Sequence, residues 1–445
     1  MNRTAKALLF FSMALLSYAD MNAQDARSLT LREALELGIA NSKNLKIDDA
    51  KIVEATAAID EAKNCQLPDL KLSGSYLRLT NANISLKTGQ QSSGGEGEAQ
   101  GASAAPKVNQ AMYGMANFSL PLFAGGRIKY GIESAKYLLE AAKLNAGSDK
   151  NVIAYNISQA YVNLFKASQV VGVLKENLTT SQKRDADFLN KENNGIIARN
   201  DRLKAQLQTS DIELQLLEAE NNYNIANVNM NLLLGLPEQT VLQVDASFVN
   251  QQVDIKTFTD YQQEALQHRK DMQALGFQQR AAELATKSAK AENLPTLALT
   301  GGYVAANIPS FLTVTNAVNA GVGIQYNLAN LWKSNAVLKQ SRARETQLTA
   351  SKELLMDDIK LEINRDYQNA FVAKKKIEVY EKSERQAEEN YRITKNKFDN
   401  SLVTITELLD ANVALLSTKI NVLNAKADAA LAYRKLLETT GVLYQ

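Results

Sequence analysis

The sequence is poor in the residues that interrupt helices and in those that most often carry chemistry. Its 445 residues include 6 prolines, 21 glycines, one cysteine and one histidine. The lone Cys65 excludes an internal disulfide. The only histidine, His268, lies inside a predicted helical stretch, so we expect no His-based catalytic triad, and a single histidine cannot form a His-rich metal site. We therefore expect a protein that is not an enzyme, with no catalytic residue, no metal site and no cofactor.

The sequence also lacks a large excess of positive or negative charge, and it lacks long apolar runs. The formal net charge is only +2, so nothing points to a nucleic-acid partner. The most apolar run, "ALLFFSMALLSYA", follows Arg3 and Lys6 and precedes small residues, which predicts a signal peptide over residues 1–23. Cleavage after Ala19 or after Ala23 fits equally. A membrane anchor is the alternative, but the run is short for a span of ~20 residues.

Between Ile324 and Thr440 there is neither glycine nor proline, which predicts very long helices. Such helices are best stabilised by coiled-coil packing, because an ordinary globular core does not need their length. Apolar residues repeat here at intervals of seven in two adjacent rows, which favours coiled-coil helices over ordinary core helices. The rows are Leu409, Leu416, Leu423, Ala430 and Leu437, and Leu408, Leu415, Val422, Ala429 and Leu436.

Two short phrases show that the chain is a tandem duplication. "QLPDLKLSGSY" (66–76) recurs as "NLPTLALTGGY" (293–303), and each follows a similar helical stretch. Likewise "NNGIIARNDRLKAQ" (193–206) matches "DNSLVTITELLDAN" (399–412), and the halves end alike in "LLLGLP" and "LLETTG". We expect a first repeat over 24–237, a linker over 238–260 and a second repeat over 261–445.

Each repeat is expected to contain a helix, a β-hairpin and a pair of long helices. The hairpins are predicted at about 69–122 and about 296–328, and the helix-pair turns near 194–200 and 399–405. Pro68 and Pro295 should end the opening helices, because proline cannot continue a helix. We expect Asn200 or Asp201 to cap the first returning helix, and Thr404 or Thr406 the second.

The strand segments alternate apolar and small or polar residues, which is typical of transmembrane β-strands but weak evidence for any one segment. In "MYGMANFSLPL" (112–122), Ala116, Phe118 and Leu120 share one face, whereas Asn117 and Ser119 lie opposite. An ordinary half-buried strand pair is the alternative. Four strands cannot close a barrel, whereas the twelve strands of a symmetric trimer can.

On these motifs, together with "EALELGIANS" and "LPLFAGGRIKYGIESA", the chain resembles the TolC family of outer-membrane efflux proteins over nearly its whole length. The resemblance implies a homotrimer with a twelve-stranded barrel in contact with outer-membrane lipid. A periplasmic α-helical barrel would continue it. It also implies a passive duct gated at its periplasmic end, with a periplasmic adaptor and an inner-membrane RND or ABC pump as partners. The sequence identifies neither the pump nor the substrate.

The resemblance also identifies candidates for the pore constriction, at the two helix turns. Asn200 and Asp201 match the polar positions of the first turn, and Glu407 and Asp410 match the acidic positions of the second. Phe398 stands where better-known members have Tyr, and Val403 where they have Arg. We expect Asp410 first, and Asp201 next, to form an acidic ring that favours cations. The alternative is that these carboxylates only stabilise helix starts.

A soluble periplasmic coiled-coil scaffold or adaptor is the alternative function. It would explain the signal peptide and the long helices. It would not explain strands of membrane type at the same place in each repeat.

Overall fold

The computed structural model describes residues 27–82, 108–250, 255–309, 312–333 and 335–444. The predicted signal peptide lies outside these residues, as do the Gly- and Ser-rich segment 92–106 and positions 251–254 of the expected linker. Within the described residues, no helix is long and apolar enough to cross a membrane.

The two halves of the chain contain the same elements in the same order: a strand, two helices, two strands and two long helices. The first half comprises β1 (Arg27–Leu29), α1 (Leu31–Asn41), α2 (Lys43–Asn64), β2 (Asp69–Ala82), β3 (Val108–Phe123), α3 (Arg127–Asn193) and α4 (Arg199–Leu234). The second comprises β4 (Leu242–Val244), α5 (Phe258–His268), α6 (Lys270–Ala291), β5 (Thr296–Ile308), β6 (Leu312–Gln325), α7 (Ala336–Asp399) and α8 (Ile405–Thr439). Short 3-10 helices lie at Ser247–Asn250 and Leu328–Leu331. This order confirms the expected duplication.

Both opening helices end as the Leu-Pro motif predicts. The backbone N–H of Leu67 donates to Asn64 O, and that of Leu294 donates to Ala291 O, each at 3.0 Å. Pro68 and Pro295 follow these turns, and β2 and β5 begin at the next residue. Proline suits this place because it cannot donate within the helix and biases the residue before it toward an extended backbone.

The four long strands form one antiparallel sheet in the order β2-β3-β5-β6. In its register Leu72 pairs with Ala116, Ala116 with Tyr303, and Tyr303 with Val318. The next level aligns Leu70, Phe118, Gly301 and Ala320 in the same way. Strand neighbours share a face of the sheet, so the apolar sets read from each segment combine into one apolar face.

The chain separates into two compact units, and each repeat contributes to both. The first unit comprises the chain up to Ala50, Lys143–Gln273 and the chain from Glu353. The second comprises Lys51–Ala142 and Ala274–Lys352, and it contains the four-stranded sheet. The turns between the long helices belong to the first unit.

Tyr161, fully buried in the first unit, ties the two repeats together where β1 and β4 pair in parallel. Its hydroxyl lies 2.8 Å from the carbonyl oxygen of Leu29 and accepts the N–H of Asp245 at 2.9 Å. Its ring packs edge-on against Phe248, with the centroids 5.4 Å apart. Burial raises the pKa of the Tyr161 phenol to about 12, because the ionised form would lose its hydration.

Both long helix pairs turn through the same backbone motif. After α3, Gly195 N donates to Glu192 O at 2.9 Å and Ile196 N to Lys191 O at 2.8 Å. After α7, Ser401 N donates to Phe398 O at 2.9 Å and Leu402 N to Lys397 O at 2.8 Å. These pairs are Schellman motifs, which place one residue in the left-handed region. That residue is Gly195 (φ 68°) in the first repeat and Ser401 (φ 59°) in the second.

The heptad rows of α8 lie on its packed side. Leu408, Leu409, Val422 and Leu436 are buried, and the other members of the two rows are half-buried. Leu408 and Leu409 belong to a cluster beside the helix turns, whereas Leu436 belongs to a separate cluster with Tyr261 and Ile363. The row therefore joins two separate parts of the core along one helix.

Replacing Ser401 by glycine should stabilise the protein by about 0.5–1 kcal/mol, because only glycine adopts the left-handed conformation without a steric penalty. Gly195→Ser, at the matched position, should destabilise it by a similar amount. Urea unfolding of the detergent-solubilised protein measures both changes. Equal stability of all three proteins would contradict the backbone-strain explanation.

Tyr161→Phe should cost about 1–3 kcal/mol at pH 8, because the variant leaves buried backbone groups without the hydroxyl. In the wild type the native phenol stays neutral up to about pH 12, whereas an unfolded tyrosine ionises near pH 10. The stability that Tyr161 contributes is therefore complete below pH 10 and is lost as the pH rises through 12. Urea midpoints from pH 8 to 12 should converge for wild type and variant, with Tyr380→Phe as control. A constant difference would contradict this account.

Candidate functional site at the helix turns

The turns of the two repeats meet around one apolar cluster in the first unit. Phe188 of α3 and Ala205 of α4 are buried there with Ile405, Leu408 and Leu409 of α8. Half-buried Ile197, Tyr391 and Phe398 pack against them. The two helix pairs of one chain are therefore joined by apolar packing just behind their turns.

Phe398 lies inside this cluster. Its ring centroid is 5.5 Å from that of Phe188, and the Lys191 ammonium lies 5.1 Å above the Phe398 ring. Lys191 Nζ also lies 3.8 Å from Asp399 Oδ1, so a cation from the first repeat contacts both residues at the end of α7. Val403 is half-buried in the second turn, where its side chain supplies no charge.

The polar candidates of the first turn have different surroundings from those expected. The N-cap of α4 is Ala198, whose side chain makes no cap, so the expected capping by Asn200 or Asp201 is wrong. The backbone conformation at Ala198 is extended, which starts the helix before either polar residue is reached. Asn200 is exposed in the first turn of the helix. Asp201 is half-buried and lies 3.2 Å from the ammonium of Lys204.

The two acidic candidates of the second turn differ from each other. Thr404 caps α8, as expected, by accepting the N–H of Glu407 at 3.3 Å. The Glu407 carboxylate accepts the Thr404 hydroxyl at 3.4 Å and lies in the first turn of α8, where a negative charge favours the helix dipole. Asp410 is exposed one turn further on, and no hydrogen bond or ion pair to its carboxylate occurs within the described part of the chain. Of these carboxylates, Asp410 is thus the one most available to an ion.

The sequence analysis missed the charged residue that joins α3 to α4. Arg202 donates to Asp185 Oδ1 at 3.1 Å and lies 3.3 Å from Glu192 Oε2. The hydrogen bond to Asp185 is the main reason that the pKa of Arg202 is raised. Asp185 and Glu192 are seven residues apart and therefore lie on one face of α3, which was the available signal.

A second missed residue, Arg184, joins the two repeats. Its Nη2 donates to Asn412 Oδ1 on α8 at 3.2 Å, and Asn412 Nδ2 donates to Asn177 Oδ1 at 3.4 Å. Burial lowers the pKa of the Arg184 guanidinium. The bond from Arg184 to Asn412 is an arginine contact between the two helix pairs of one chain, and the arginine belongs to the first repeat. Val403, in the second turn, cannot supply such a contact. No sequence pattern indicated it, because its partners are remote in the chain.

The described residues contain no group of three or more His, Cys, Asp or Glu placed to hold a metal ion. The turns offer apolar packing, hydrogen bonds and carboxylates.

The family of outer membrane efflux proteins matches residues 34–236 and 262–442. Outer membrane protein TolC of Salmonella enteritidis is 24% identical over 241 residues, which are 51% of this chain and 49% of that protein. The match thus spans about half the length of that relative.

Solved structures match over nearly the whole chain. A crystal structure of CusC is 18% identical with a TM-score of 0.76, covering 92% of each chain. The outer membrane protein VceC of Vibrio cholerae is 19% identical with a TM-score of 0.74, covering 92% of this chain and 96% of that one. These likenesses confirm the expected fold class, a mainly helical tandem repeat with strands, as in trimeric outer-membrane efflux channels with a helical barrel.

The family consists of efflux channels and not of enzymes, and its members lie in the outer membrane and extend into the periplasm. The matched ranges include the four long strands and the long helix pairs of both repeats. The chain belongs to the outer membrane efflux protein family.

Proposed function

We propose that three copies of this chain form a passive duct from the periplasm, or from an inner-membrane pump, to the cell exterior. Twelve strands would close a barrel in the outer membrane, and the long helix pairs would form the periplasmic passage. Gating would take place at the helix turns. The observation that carries this proposal is the exposed apolar face of the four-stranded sheet.

The sheet has the surface that a lipid-facing wall requires. Leu72, Val318 and Ile324 are 82%, 76% and 75% exposed, although they lie on one apolar face in register. Exposing such a face to water is unfavourable, whereas hydrocarbon removes the penalty. The strands, of 13 to 16 residues, exceed the 9–11 that a tilted strand needs to cross a bilayer.

The edges of the sheet support three copies. β2 and β6 each have one described strand as partner, so each leaves one row of backbone groups unpaired by the sheet. Lipid cannot hydrogen-bond such groups, so strands in a membrane must close into a barrel. Pairing β6 of one copy with β2 of the next continues the antiparallel order, and twelve strands suffice for closure.

At the helix turns, Asp410 is our leading candidate for the constriction, with Asp201 next. Three copies would place three Asp410 carboxylates around the passage, and such a ring favours cations and binds multivalent ones. Glu407, Asn200, Phe398 and Val403 would shape the turns around it. In the chain itself the Glu407 carboxylate already accepts the hydroxyl of Thr404, and Phe398 is packed, so we expect smaller effects from their substitution.

The same turns offer a place for an adaptor. Ile196 and Leu402 occupy matched positions in the two repeats and are 65% and 73% exposed. An exposed apolar side chain in each turn could contact a periplasmic adaptor. The adaptor would in turn connect the duct to an inner-membrane RND or ABC pump. The substrate would then be chosen mainly by the pump.

The proposal predicts discrete, cation-selective conductance in a planar bilayer, blocked by a trivalent cation such as hexamminecobalt. Asp410→Ala should raise the concentration for half-block about tenfold or more, since the ring supplies most of the local negative charge. Asp201→Ala should have a smaller effect. Asp358→Ala, an exposed aspartate far along α7, is the matched control and should block like wild type.

Two results would contradict parts of this proposal. Unchanged block in Asp410→Ala and Asp201→Ala would leave the duct and remove the assigned constriction. No conductance, from protein that washes off membranes at high salt or high pH, would remove the duct and favour the soluble scaffold.

A further inference from the structure

The apolar face of the sheet ends in a tyrosine at the end from which α3 and α7 continue, which we call the helix end. Thr296 pairs with Gln325 there, as the first residue of β5 and the last of β6. Tyr326 comes next and is 41% exposed. It follows Ile324 by two residues, which is the spacing of side chains on one face of a strand. Tyrosine at the end of an apolar strand face is typical of a boundary between hydrocarbon and water.

The following segment adds a cation and the only tryptophan of the chain. Leu328–Leu331 form a 3-10 helix, and the Asn327 side chain caps it by accepting the N–H of Ala329 at 3.2 Å. The N–H groups of Trp332 and Lys333 donate to Ala329 O at 3.3 and 2.9 Å. The Trp332 side chain is 73% exposed. Tryptophan beside lysine suits the headgroup level of a bilayer, where the ring contacts apolar groups and the ammonium can reach phosphate.

A second aromatic level lies at the other end of the same face. Tyr76 of β2 faces Met112 of β3, which faces Asn307 of β5. Tyr76 is 56% exposed, and its hydroxyl donates to Gln110 Oε1 at 3.3 Å. Arg78 lies two residues further along β2 on this face, so charge begins just beyond the tyrosine.

The described sheet carries no charged side chain on this face between the two levels. Within their described bounds, β3, β5 and β6 contain no charged residue. In β2, Asp69 and Lys71 precede Tyr76, but they lie on the opposite face and pair with each other at 2.8 Å. Tyr303 lies between the levels, and its hydroxyl accepts the N–H of Asn316 at 3.4 Å. The band therefore has one face that suits lipid and one that carries charge.

The separation of the two levels matches the thickness of a bilayer. Extending the register by one residue places Pro295 at the level of Tyr326. From Pro295 to Asn307 the levels are about 12 residues apart, which is ~40 Å at ~3.3 Å per residue. A strand tilted by ~45° crosses ~28 Å of depth over this length, close to the ~30 Å of a hydrocarbon core.

We propose that acyl chains cover the sheet between these two levels, and that Tyr326 and Trp332 lie among the glycerol and phosphate groups of a glycerophospholipid leaflet at the helix end. Tyr76 lies at the opposite boundary. This inference rests on the proposed duct and goes further, because it assigns a membrane depth to individual side chains.

The single tryptophan allows a direct test by fluorescence. The full-length protein would be reconstituted into phosphatidylcholine vesicles that carry bromine, a quencher of tryptophan, either near the glycerol or near the chain ends. Bromine near the glycerol should quench Trp332 about twofold more strongly than bromine near the chain ends, because an interfacial ring lies at the depth of the headgroups.

Three variants in a Trp332→Phe background extend the measurement across the sheet. Tyr76→Trp should be quenched like Trp332. Ala320→Trp, about midway between the levels on the same face, should show the reverse preference and be quenched more by chain-end bromine. The neighbouring Asn319→Trp, on the opposite face, is the matched control and should be quenched by aqueous iodide rather than by either lipid.

Flotation with the vesicles after a high-pH wash separates two kinds of failure. If the protein floats, but Trp332 is quenched most by chain-end bromine or by neither lipid, the assigned boundary is overturned and the duct is kept. If the protein does not float and no position is quenched by lipid, the duct is overturned together with this inference.

Discussion

Unpaired backbone at the edges of a four-stranded sheet is the constraint on which the account depends. Within the described chain, β2 and β6 are edge strands, and each has only one described neighbour. The face they share with β3 and β5 is apolar and exposed. A sheet of this kind is unfavourable in water and impossible as an open sheet in lipid. Its edges and its face therefore support the same proposal, which is closure by further copies in a membrane.

The two repeats use the same local structural features, namely helix caps, proline turns and Schellman motifs. Thr30 caps α1 by accepting Glu33 N, and Thr257 caps α5 in the same way by accepting Asp260 N. The last long helix of each repeat ends at a left-handed glycine, Gly235 or Gly441. Matching caps, proline turns and Schellman motifs give both repeats the same path. The repeats differ at Gly195 and Ser401, and serine is the less favourable residue in this left-handed conformation.

Local features were the predictable part of the fold. Pro68 and Pro295 ended helices because proline acts through its own backbone, and the strand faces followed from alternation alone. Thr404 or Thr406 was expected to cap α8, and Thr404 does so. The matching expectation for Asn200 or Asp201 was wrong, since the helix starts from the backbone of Ala198. A capping side chain is a preference, and packing at the turn can override it.

Long-range polar contacts were beyond prediction. Arg184 and Asn412 lie far apart in the sequence, and nothing in either segment indicates that they meet. Arg202 lies in the repeated segment 193–206, but its partners on α3 can be identified only when the packing of α3 against α4 is known. The candidate constriction was located by resemblance, and the structure adds which carboxylates already have partners. That distinction separates Asp410 from Glu407.

Cross-linking between neighbouring copies tests the central claim most directly. In a Cys65→Ala background, Ser73→Cys in β2 would be combined with single cysteines at positions 317–323 of β6, and outer membranes would be oxidised. The account predicts covalent trimers on non-reducing gels for one or two of these pairs, because only facing positions of adjacent strands have disulfide geometry. Pairing Ser73→Cys with Asp358→Cys should give none. Monomers at every position would contradict closure of the sheet by three copies.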